Sequence, residues 1–153
     1  MELVTDPGDA GDQAVDSVLT LSEKPPGAVV LVVEADDGLA TQLLQGLNGA
    51  GYSPRRAASV GQALAAVQST PPDLIVMSYI LPGAAGLALC ATLKVLSQAP
   101  VIVLSARPGD VDRALAFEAG AADWFTKPVD IDKLLVRIES IVPADARKRV
   151  GRA

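Results

Sequence analysis

The sequence predicts a doubly wound α/β fold, a parallel sheet with helices on both faces, and three observations carry that prediction. From residue 28 onward, short runs of Val, Leu and Ile alternate with segments of helical periodicity, the pattern of successive βα units. The runs are apolar along their whole length, as strands buried on both faces must be. Hydrophobic residues make up 50% of the chain but aromatics only 3%, so the core is aliphatic. At 153 residues the chain suits one domain with a full core and is too short for two.

The elements follow in order. Val29-Val30-Leu31-Val32-Val33 reads as a buried strand, and Leu39, Leu43, Leu44 and Leu47 continue at helical spacing until Gly49 and Gly51. Residues 52–57 form a poorer strand with Pro54, Arg55 and Arg56. Proline has no ladder donor, so this strand belongs at a sheet edge. Ser59 is placed to cap a helix that turns Leu64 and Val67 inward. The apolar run between Pro72 and Gly83 holds the central strand, about 73–78, which stops at Ser78. Chemistry in open α/β sheets collects beyond the carboxyl ends of the strands, and that singles Ser78 out. A helix from Leu87 to Ser97, the strand Val101–Ser105 and a helix from about Gly109 to Ala119, ended by Gly120, come next. The short strand Asp123–Thr126 closes on Lys127-Pro128. The last helix, about 130–142, places Ile131, Leu134, Leu135, Ile138, Ile141 and Val142 on one stripe.

Charge divides the chain into three regions: 1–27, 28–142 and 143–153. Residues 1–27 hold six acids and one lysine while the remainder holds twelve of each sign, so the net charge of −5 belongs to the first region. That composition predicts a disordered acidic arm, with Val15, Val18, Leu19 and Leu21 as a weak amphipathic patch. Arg147, Lys148, Arg149 and Arg152 make a basic tail. It has no aromatic interleaving and is too short for a helix-turn-helix, so no nucleic-acid partner is expected. The apolar stretches fall short of a membrane span and the amino terminus is acidic, so no membrane partner and a cytoplasmic location are expected. The lone Cys90 excludes a disulfide framework and reads as a small core residue. Gly46, Gly49 and Gly51 follow a helix instead of linking a strand to one, which is not a phosphate loop. No cofactor is expected.

Four motifs in register carry a family resemblance: Val-Leu-Val-Val-Glu-Ala-Asp-Asp at 30–37, Pro-Asp-Leu-Ile-Val-Met-Ser-Tyr-Ile-Leu-Pro-Gly at 72–83, Val-Ile-Val-Leu-Ser-Ala at 101–106, and Glu-Ala-Gly-Ala-Ala-Asp-Trp-Phe-Thr-Lys-Pro at 118–128. Together they resemble the receiver domain of bacterial two-component response regulators over about residues 28–142. The resemblance implies a flavodoxin-like (βα)5 fold with strand order 2-1-3-4-5, which would put the Pro54 strand at an edge. It also implies that Ser105 matches the hydroxyl residue bonding a phosphoryl oxygen and that Lys127 matches the lysine pairing with it. Trp124 stands at the place of a switching aromatic, and the Lys127-Pro128 bond would be cis.

The departures from that family decide the expected function. Ser78 stands where such domains carry the phospho-acceptor aspartate, and Ala35 stands where the second acid after the first strand would bind Mg²⁺; Glu34 holds the first place and Asp36 follows. Hard cations need carboxylate oxygens, so no metal is expected. The chain contains no histidine to activate a serine. Ser78 therefore reads as a hydrogen-bonding strand terminus, Glu34 and Asp36 as neutralising Lys127, and Trp124 as either a core residue or a partner anchor. The expectation is a stand-alone pseudo-receiver, not an enzyme and without catalytic residues, that acts as a phosphorylation-independent protein-interaction module. Its expected partner is a sensor kinase, another regulator or an effector. The expected surface is the fourth helix, fifth strand and fifth helix, where Asp110, Asp112, Arg113, Asp132, Lys133 and Arg137 lie; a homodimer through it is the other outcome. A flavodoxin-like small-ligand site and a regulator modified elsewhere are the alternatives.

Overall fold

The structure is a computed structural model, and it describes residues 27–81, 84–106, 109–142 and 146. Apart from Gly27 and Ala146, the acidic arm and the basic tail lie outside the described residues. Five parallel strands, β1 (Val29–Val33), β2 (Ser53–Ala57), β3 (Leu74–Ser78), β4 (Val101–Ser105) and β5 (Asp123–Thr126), form one sheet in the order 2-1-3-4-5. The helices between and after them are α1 (Asp37–Gly49), α2 (Val60–Ser69), α3 (Gly86–Leu96), α4 (Asp110–Glu118) and α5 (Ile131–Ile141). The strand with Pro54 is at the edge, where its missing donor leaves no gap in the ladder.

Every residue of β1, β3 and β4 is buried, which explains their unbroken apolar runs. Alternate residues serve opposite faces. Leu31, Val33, Ile75, Met77, Val101 and Val103 pack with Ala63, Val67, Leu89, Cys90, Leu93 and Ala116 of α2, α3 and α4. Val30, Val32, Leu74, Val76, Ile102 and Leu104 pack with Leu43 and Leu47 of α1 and with Leu134 and Ile138 of α5. Cys90 is a core residue as expected, and burial pushes its thiol pKa up.

Local chemistry starts and stops the helices. Asp36, Ser59 and Asp130 are N-caps whose side chains accept from the N–H groups of Leu39, Gln62 and Lys133. Gly120 ends the α4 turn at φ +110°. Asp73 performs a similar service for the sheet: its Oδ2 accepts from the Val29 N–H at 2.7 Å, joining the amino ends of β1 and β3.

Between β3 and α3 the chain makes a small antiparallel hairpin of Ile80–Leu81 with Ala84–Ala85, which the sequence reading did not anticipate. It returns the chain so tightly that α3 starts at Gly86, one residue earlier than predicted. A Cβ on Gly86 would lie 1.9 Å from the Tyr79 carbonyl oxygen, so only glycine fits. Gly86→Ala should lower stability by about 1–3 kcal/mol through overpacking, read as a lower urea midpoint at unchanged slope. Gly61→Ala in α2, where a Cβ meets nothing within 4 Å, should instead raise it by about 0.5 kcal/mol.

Candidate functional site

The buried polar residues of the described structure are Glu34, Ser78 and Ser105, and all three sit at the carboxyl edge of the sheet. The register explains why two of them meet. Val33 is paired with Met77, so Glu34 and Ser78 are the next residues along on neighbouring strands. The Glu34 N–H donates to the Ala57 carbonyl of β2 at 3.0 Å, which keeps the residue in line with the sheet.

The Glu34 carboxylate accepts from three donors. Its Oε1 accepts from the Ser78 hydroxyl and from Lys127 Nζ, the latter at 3.0 Å, and its Oε2 accepts from the Asp36 N–H at 3.0 Å. Lys127 Nζ also donates to Ser78 Oγ at 2.9 Å, closing a triangle of carboxylate, hydroxyl and ammonium across the ends of β1, β3 and β5. The glutamate side chain is 4% exposed and the lysine side chain 25%, so the pair is open to water only at its cationic end. Burial by itself would push the Glu34 carboxyl up. The bonds from Ser78, the Asp36 N–H and Lys127, with the charge of Lys127, outweigh it and hold the carboxyl below the usual range.

Not every predicted residue joins this cluster. Asp36, expected to help neutralise Lys127, instead caps α1, because its place one residue before the helix aims its carboxylate at the Leu39 N–H. Ala35 is half-buried against the core that β1 shares with α2. Ser105 ends β4, and its carbonyl accepts from the Lys127 N–H at 2.8 Å, which fixes where the lysine leaves the sheet. The Lys127-Pro128 bond is cis, as the resemblance implied. Trp124 is buried, with its ring against Tyr79, so the tryptophan is a core residue.

Arg56 is a participant that sequence reasoning passed over. From the edge strand its guanidinium donates to the Glu34 carbonyl at 3.1 and 3.0 Å and to the Ala35 carbonyl at 3.2 Å, and it pairs with Asp37 at 2.8 Å. The arginine thereby staples the loop that presents Glu34. The available signal was a charged residue near the end of a strand whose register partner is Val32, because such a group must find polar atoms at the strand end.

An open, doubly wound α/β sheet with an acid, a hydroxyl and a lysine joined across its carboxyl edge defines the class of protein. Residues 30–139 match the response regulator receiver domain, and the chain belongs to that family. It is 34% identical over 124 residues to the transcriptional regulatory protein BaeR of Escherichia coli, covering 81% of this chain and 51% of BaeR. It is 35% identical over 111 residues to the DNA-binding response regulator MtrA of Mycobacterium tuberculosis, covering 72% of this chain and 49% of MtrA. A crystal structure of a putative response regulator from Chloroflexus aurantiacus superposes with a TM-score of 0.70 at 34% identity, covering 75% of this chain and 97% of that one.

The chain spans about half the length of the curated relatives it matches. Their names correct one expectation, that of a protein partner to the exclusion of nucleic acid: the relatives are named as transcriptional and DNA-binding regulators. The basic tail was a poor guide, because a short charged segment says nothing of the half of these relatives that lies outside the match. Among the described residues no helix is long and apolar enough to cross a membrane.

The lowered Glu34 pKa has a definite sign. A carboxyl depressed in the folded state stabilises the fold above its unfolded pKa, near 4.5, and the contribution is lost as pH falls through the folded value. Stability measured by urea titration from pH 7 to pH 3 should therefore drop on the acid side. Glu34→Gln should flatten this limb and cost about 2–4 kcal/mol at pH 7, because Lys127 loses its counter-charge and the Asp36 N–H loses its acceptor oxygen to an NH2 group.

Proposed function

We propose that this receiver domain regulates without aspartyl phosphorylation, its site held in one state by its own side chains. One observation carries the reading: the hydroxyl of Ser78, at the end of the central strand, donates to Glu34 and accepts from Lys127. The site's acid and base neutralise each other inside the fold, and the lysine that would pair with a phosphoryl oxygen already has its counter-charge.

Chemistry at Ser78 supports the same reading. A serine attacks phosphorus only when a base removes its proton. The one base in contact, Glu34, is held below the ordinary carboxylate range and is a weak proton acceptor. Ser78 is fully buried. The Mg²⁺ associated with such sites does not fit the residues present. Ala35 supplies no side-chain oxygen, Asp36 is turned to the α1 cap, and both oxygens of Glu34 are engaged by hydrogen-bond donors. Among the described residues no cluster of three potential ligands forms. On this reading the domain, residues 28–142, is a pseudo-receiver and not an enzyme. The names of its relatives support a place in transcriptional control, in which this domain supplies regulation.

Repair of the site tests the proposal. The unaltered protein should acquire no acid-labile phosphate from acetyl phosphate and show no Mg²⁺-dependent change in the fluorescence of Trp124, the only tryptophan. Ser78→Asp alone places a second carboxylate against Glu34 with Lys127 to share, and should accept little phosphate. Adding Ala35→Asp supplies a metal ligand, and the double variant should bind Mg²⁺ and accept phosphate. Phosphate on the unaltered protein, or equal labelling of the single and double variants, would overturn the reading.

A further inference from the structure

Tyr79 follows Ser78 directly, and its main chain is held from two sides. Its N–H donates to the Leu104 carbonyl at 2.8 Å, and Gly86 packs onto its carbonyl with no room for a side chain. From this fixed base the ring lies against Trp124 of β5, with centroids 5.1 Å apart and planes inclined at 56°. The Tyr79 hydroxyl donates to Asp112 Oδ1 in the first turn of α4 at 3.3 Å. One side chain therefore connects the end of the central strand with β5 and α4.

The attachment of α4 is otherwise slight. The helix has nine residues, its N-cap Gly109 offers no side chain, and Ala116 is its buried residue. Val111 is 73% exposed, while Leu115 and Phe117 are each 39% exposed. A helix this short does not persist without tertiary contacts.

The geometry points to a latch in which Tyr79 keeps Trp124 inward and ties the amino end of α4 to the end of β3. The latch rests on the proposed function only for its meaning, that α4 is held in one position whatever happens at the site. The two contacts that define it, with Trp124 and with Asp112, use none of the side chains of Glu34, Ser78 and Lys127, so the two ideas fail separately.

The test is amide hydrogen exchange of the full chain together with acrylamide quenching of Trp124. Tyr79→Phe keeps the ring and removes the hydroxyl. It should speed exchange in α4 by about threefold, as loss of one long, part-buried hydrogen bond implies, with quenching unchanged. Tyr79→Leu should raise both exchange in α4 and quenching. Tyr79→Phe combined with Asp112→Ala should exchange no faster in α4 than Asp112→Ala alone, because both remove the same bond. Exchange in α1 and α5 should stay at the level of the unaltered protein throughout. Unchanged α4 exchange in Tyr79→Phe would overturn the latch, as would an equal rise in α1 and α5, which would mark a general loss of stability. Phosphorylation of the unaltered protein would sink the fixed-site reading and leave these exchange results standing.

Discussion

The buried carboxylate of Glu34 is the constraint to which the functional edge of this domain answers. A charge removed from water is tolerated only when it is paired and its lone pairs are filled. Glu34 is paired with the ammonium of Lys127, and with the hydroxyl of Ser78 and the N–H of Asp36 most of its lone pairs are filled. Each donor comes from a different segment, so satisfying one side chain aligns β1, β3 and the end of β5. Arg56 adds a second layer, gripping the carbonyls of Glu34 and Ala35 and so fixing the backbone that carries the acid.

The sheet makes that arrangement possible. Parallel strands in register bring Glu34 and Ser78 side by side past the pair Val33 and Met77, and the bond from Lys127 to the Ser105 carbonyl delivers the lysine from two strands away. The apolar layers on either side exclude water from all but the lysine end of the cluster. In that setting one carboxylate faces one ammonium, with the Ser78 hydroxyl bonded to both.

The helices are held unequally. α1 and α5 bury leucine and isoleucine against the sheet, whereas α4 buries a single alanine and leaves three large apolar side chains exposed. Regions with few buried contacts open most readily, and the tyrosine beside the site is attached to that helix. The residue next to the buried cluster is thus the one best placed to set the position of the least anchored helix.

By itself the sequence determined the architecture, because hydrophobic burial is written residue by residue. Unbroken Val, Leu and Ile runs mark strands covered on both faces, Pro54 marks an edge, and Ser59 and Gly120 mark where helices begin and end. It also marked the functional edge, through the position of Ser78 at the end of the central strand and the receiver motifs around Glu34, Ser105, Trp124 and Lys127. Only the tertiary structure decided which polar groups meet. Glu34 and Asp36 are two residues apart, yet one points into the sheet edge and the other caps a helix, since strand and helix direct side chains differently. Arg56 and Tyr79 carried no motif. Their partners lie on other segments of the chain, 22 and 33 residues away in the bonds to Glu34 and Asp112, so their roles depend on long-range register and the path of the chain, which local patterning does not encode.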